Sequence, residues 1–149
     1  VEYQSLFKPL NLGIHELGHY LFAPLGQFMA IAGGSLAQSL APLASMVMFG
    51  RQRDWFAIAV CLGWFGTNLF DVATYAGDAR SMSLPLLTPG GGEAIHDWNW
   101  LLTRMGMLEW DGTVAAALRL GGSASILACL AAGGWMLWKM ARPPAAIRA

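Results

Sequence analysis

Apolar residues in this chain fall in long runs, not at the 3.6-residue or two-residue intervals that mark half-buried helices and strands. Three such stretches, residues 27–49, 55–77 and 113–138, each exceed the ~20 residues that carry an α-helix across a bilayer core. The polar break Gly50-Arg51-Gln52-Arg53-Asp54 separates the first two. A fourth stretch, residues 11–23, offers only about a dozen apolar-rich residues before Pro24 and Gly26, or roughly 18 Å of helix at the usual rise, which is too short to cross unaided. Asn11 is placed to cap that helix, and Pro9 suits its approach. Between the second and third long runs lies a segment, 78–112, that is not spanning. It opens with a turn-rich stretch ending in Gly90-Gly91-Gly92. Beyond it, Ile95, Trp98, Leu101, Leu102, Met105 and Leu108 share one helical face, and with Trp98, Trp100 and Trp110 they predict an amphipathic helix at headgroup depth. The expected fold is all-α integral membrane, one domain over 1–149: three spanning helices, a short helix over 11–23 and an interfacial helix.

Composition agrees with a bilayer partner. The chain is 56% hydrophobic and 12% charged, about half the charged fraction of a soluble domain. Its formal net charge of zero leaves no footprint for nucleic acid. Basic residues bracket the spans instead: Arg51 and Arg53 between the first two, Lys139, Arg142 and Arg148 after the last. By the positive-inside rule these ends are cytoplasmic and 78–112 is external, in the inner membrane if the cell is bacterial. Small residues recur every fourth position as Gly33, Ala37, Ala41 and Ser45, and again as Ala117, Gly121, Ser125, Cys129 and Gly133. Such rows let helix backbones approach in lipid, and they predict contact faces within the chain or toward other membrane subunits. Cys61 and Cys129 sit in different apolar runs without a Cys-x-x-Cys spacing and are read as packing residues.

Chemistry concentrates in His15-Glu16-Leu17-Gly18-His19, which holds two of the three histidines of the chain. Imidazoles four residues apart lie on one helix face and can share a zinc ion. Catalytic zinc takes three protein ligands and keeps the fourth position for a water whose pKa falls toward ~7. His15 and His19 are two ligands, and Glu16 is the base that takes the water's proton. The third ligand lies elsewhere, and the candidates are Asp71, Asp78, His96 and Asp97. Asp97 is alternatively placed to orient a ligand by a hydrogen bond. Asn68, Asp71, Tyr75 and Asp78 form one stripe of the second span, and a carboxylate inside a membrane, such as Asp71, normally faces a partner or a cavity. Asp71 is about 9 Å of helix from the outer end of its span. The histidine pair reaches it and His96 if the short helix dips in from the outer face or lies along it, giving a site open to the external side.

These residues resemble the zinc-dependent intramembrane metallopeptidases of the site-2-protease type, over roughly residues 11–78. The resemblance rests on His15, Glu16 and His19 in a membrane helix, with Asn68 and Asp71 following in a later segment. It implies zinc as cofactor, Asp71 as third ligand, and hydrolysis of a peptide bond in or beside the membrane, with a peptide or membrane protein as substrate. The alternative expectation is a non-catalytic helical subunit of a larger membrane complex, held by its small-residue faces, whose histidines bind a structural metal or a pigment.

Overall fold

The structure is a computed structural model that describes residues 5–85 and 95–142; Gly90-Gly91-Gly92 and Arg148 lie outside them. Its elements are α1 (Lys8–Phe22), a 3-10 turn (Ala23–Leu25), α2 (Gln27–Arg51), α3 (Trp55–Gly77), α4 (Asp97–Arg104), a second 3-10 turn (Leu108–Trp110) and α5 (Asp111–Met140). No strand occurs among the described residues. Three helical stretches are long and apolar enough to cross a membrane, Gln27–Arg51, Trp55–Gly77 and Leu108–Met140. Leu40, Val47, Leu120, Leu127 and Leu130 stand exposed on them, as side chains facing hydrocarbon would.

Local chemistry sets the boundaries. Pro9 occupies the first turn of α1, where its missing N–H removes no helical bond. Gly26, with φ 97°, reverses the chain between α1 and α2 in a conformation that side chains with a Cβ resist. Asp54 caps α3 by accepting from the backbone N–H of Ala57 at 2.9 Å.

Helices α1, α2, α3 and α5 pack in alternating directions. Gly18 of α1 meets the Gly33 carbonyl and Ala37 of α2 so closely that a Cβ at position 18 has no room. Ser39 of α2 accepts a hydrogen bond from Asn68 of α3. In the α3–α5 seam, Gly77 faces Ala115, Gly66 faces Gly122 and Ile126, and Gly63 faces Cys129. Much of the two small-residue rows is therefore occupied inside the chain. Gly33 and Ala37 receive α1, while Gly121, Ser125, Cys129 and Gly133 meet Leu69, Leu62, Gly63 and Ala59 of α3; Ala117 stays exposed.

Three local expectations are corrected. Asn11 does not cap α1; the helix starts at Lys8, and buried Asn11 sits within it. Nor does α1 dip in from the α4 end. Phe7 stacks on Trp64, Asn11 bonds Asp71 and the His15 ring meets Tyr75, so α1 runs parallel to α3. The motif still arrives at the α4 end because it occupies the second half of a helix that begins part-way along α3. Finally, α4 is short and is not simply laid on a surface. Leu101 and Leu102 are buried, the Trp98 indole N–H donates to Ser35 of α2, and the Asn99 amide donates to the Ala79 carbonyl beyond α3. Leu108 falls outside α4 altogether.

Candidate metal centre

The i and i+4 spacing on α1 points both imidazoles of the motif the same way, with ring centroids 4.8 Å apart and planes at 83°. The buried His15 ring is seated by Gly34 of α2, where a Cβ would come within 2.6 Å of it. His19 is fixed differently. Its Nδ1 lies 2.8 Å from the Ala30 carbonyl; a carbonyl only accepts, so Nδ1 carries the proton and Nε2 turns its lone pair to the other side.

What both Nε2 atoms face is Asp97, the first residue of α4. Its Oδ2 is 3.0 Å from Nε2 of His15 and 3.3 Å from Nε2 of His19. One ligand atom from each of His15, His19 and Asp97 falls within 4.8 Å of the others. Ligands about 2.0–2.2 Å from a tetrahedral zinc stand roughly 3.3 Å from one another, so small adjustments close the three around a common point. The His15 Nε2 can donate to this carboxylate from the neutral ring, whereas His19, whose Nδ1 already carries a proton, needs a positive charge on its Nε2 side. In the metal-free protein a proton supplies it: the hydrogen bond with Asp97 raises the His19 imidazole to about 9 against the opposing effect of burial. Burial pushes the Asp97 carboxyl up, but its bonds to His15 and His19 outweigh that and hold it below the usual range.

Glu16 is half-buried on the flank of α1. Among the described residues its carboxylate makes no hydrogen bond, and it lies within electrostatic reach of His19. That leaves it available to accept a proton beside the three donors.

The other predicted ligands are placed elsewhere. Asp71 accepts from the Asn11 amide at 3.0 Å, and Asn11 in turn accepts from the Trp64 indole at 2.7 Å, so this carboxylate ties α1 to α3. Asp78 collects the hydroxyls of Ser81 and Ser83 and the backbone N–H groups of Ser83 and Leu84. Burial pushes its carboxyl up, yet these donors together hold it well below the usual range. His96 caps α4: its Nδ1 accepts from the Asn99 backbone N–H at 3.2 Å, so Nε2 carries the proton and donates to Asp78 at 3.3 Å. With both nitrogens engaged, His96 holds the start of α4 in place. Asn68, fully buried, leaves its Oδ1 without a partner among the described residues.

Of the predicted site residues the structure thus brings His15 and His19 together with Asp97 and keeps Glu16 on the flank of the same helix, while Asp71, Asp78 and His96 are engaged in other bonds. Two contributors carried no signal of their own in the sequence. One is Gly34, which seats a ring; the other is the Ala30 carbonyl, which fixes a tautomer. Tyr75 was visible only as a member of the α3 stripe. Its ring lies 5.9 Å from that of His15 and 4.5 Å from that of His96, and its hydroxyl oxygen accepts the Asp97 backbone N–H at 3.0 Å. Comparison with protein-family models, with curated proteins and with solved structures finds no match to this chain.

Proposed function

We propose that this chain is a zinc-dependent membrane peptidase whose metal is held by His15, His19 and Asp97 and whose general base is Glu16. The observation that carries the reading is the meeting of both motif imidazoles with one buried carboxylate. Three donors also suit catalysis better than a structural site, because structural zinc is closed by four protein ligands. Zinc bound there supplies Lewis acidity toward a carbonyl and lowers the pKa of water. The chain's own groups do the rest. Ala30 holds His19 in the ligating tautomer, Gly34 keeps the His15 ring in register, and Glu16 takes the proton of the attacking water and returns it to the leaving amine. The site lies at the α4 end of the helices, away from Arg51 and Arg53; under the positive-inside rule that end is external.

Metal analysis and a proteolysis assay on detergent-purified protein test this, with casein and single-span peptides as probes. Stoichiometric zinc is expected in the parent and in Glu16→Gln, with turnover about 10²–10⁴-fold lower in the variant. A parent without zinc, or a fully active Glu16→Gln, overturns the proposal.

A further inference from the structure

The phenol of Tyr75 is held more firmly than a lining residue requires. Its ring is fixed between those of His15 and His96, and His96 is itself held by Asp78 and Asn99. The hydroxyl oxygen receives the backbone N–H of Asp97 at 3.0 Å, and that residue's carboxylate reaches His15 at 3.0 Å. The oxygen's accepting side is thereby committed beside the three donors. Its hydrogen, in contrast, finds no acceptor among the described residues. A fixed phenolic donor without a partner, next to a point where three ligands converge, is suited to an oxygen that arrives with a ligand.

We propose that Tyr75 donates its hydroxyl hydrogen bond to the carbonyl oxygen of a substrate at the metal centre, an inference that rests on the peptidase reading. The bond strengthens as that oxygen gains negative charge, so Tyr75 acts in the transition state and not only in binding. The Asp97 amide keeps the phenol aimed by occupying its lone pair.

Cobalt-substituted protein tests this with acetohydroxamate, a small chelating carbonyl, followed through the visible cobalt spectrum. The expected result, with both proteins saturated with cobalt, is hydroxamate affinity about tenfold weaker in Tyr75→Phe, the loss of one hydrogen bond, over and above any cobalt affinity lost with the phenol's bond to the Asp97 N–H. Unchanged hydroxamate binding overturns the assignment, as does a loss of cobalt large enough to account for the weakening, which makes Tyr75 a support for Asp97 only. Should Tyr75→Phe fold poorly, a fluorinated tyrosine at position 75 keeps the shape and the accepting oxygen while strengthening the donor. Tighter hydroxamate binding at neutral pH with unchanged cobalt affinity is then expected, and no change overturns the proposal. A parent that binds hydroxamate through Tyr75 but cleaves no peptide keeps this assignment and removes the peptidase reading. A parent that cleaves peptides with hydroxamate binding indifferent to Tyr75 does the reverse, and a parent that binds no cobalt removes both.

Discussion

Glycine brings elements together in two regions of this molecule, for different ends. In the α3–α5 seam Gly66 and Gly122 let two backbones touch, Gly63 admits the Cys129 thiol, and Ser125 donates a hydrogen bond to the Leu62 carbonyl. Around α1 and α2, Gly18 and Gly33 again bring backbones together, but Gly34 opposite makes room for an imidazole. There Asn11 joins Asp71 and Trp64 by hydrogen bonds, and His15, His19, Tyr75 and Asp97 form a second group through polar and ring contacts. Small residues in a membrane chain therefore mark close approach without saying what is brought close. In lipid, close backbone contact gains through dispersion and weak polar contacts, whereas polar side chains must be given partners or they cost heavily. The first seam holds helices together; the second assembles donors.

The contrast is most sharply tested at Asp97. Replacing it by Ala in the second region is expected to weaken zinc binding by more than about 100-fold in a chelator competition, since even removal of groups that merely orient ligands costs about 10–100-fold. Asp71→Asn is expected to leave zinc affinity unchanged; a loss equal to that of Asp97→Ala would return the third-ligand role to α3. In the first region, Gly66→Ala places a methyl 2.6 Å from Ile126, and overpacking of this kind costs about 1–3 kcal/mol. Unfolding in detergent micelles should show that loss, with zinc content per folded molecule unaltered. Gly34→Ala is the mirror case. It displaces the His15 ring, so zinc affinity is expected to fall about tenfold while the α3–α5 seam is untouched.

The smallest effect concerns Asp78, which anchors the turn leading from α3 toward α4. Its folded pKa lies below the ordinary carboxylate value, so its contribution to stability is present above that value and lost as the pH falls through the acid range toward the folded pKa. Unfolding followed from neutral pH downward should show a decline beginning near pH 4 that is flattened in Asp78→Asn.

Much of the architecture was legible in residue order. The spans expected at 27–49, 55–77 and 113–138 are met by α2, α3 and α5 within a few residues at each end, because apolar length alone decides what can cross a bilayer. The direction of α1 was not legible. A short helix is equally compatible with lying on the surface or running along a neighbour, and the decision came from Phe7 on Trp64 and Asn11 on Asp71. Asn68, Asp71, Tyr75 and the C-cap Asp78 follow one face of α3, yet that face does not serve one site. Over more than two turns its residues meet α2, α1, the start of α4 and their own following turn in succession.

Residue order by itself determined that two imidazoles and a carboxylate stand together on one helix, since the helical repeat fixes that from spacing alone. It determined likewise that three helices of the chain are long and apolar enough to cross a bilayer. Which acid completes the donor set was decided only by tertiary structure. Asp71, Asp78 and Asp97 are chemically alike, and what separates them is the set of hydrogen bonds each makes after packing: Asn11 engages the first, two serines and a backbone turn the second. Asp97 is delivered to the histidines by α4, which Trp98, Asn99 and Tyr75 hold at the ends of α2 and α3 through contacts far apart in the chain.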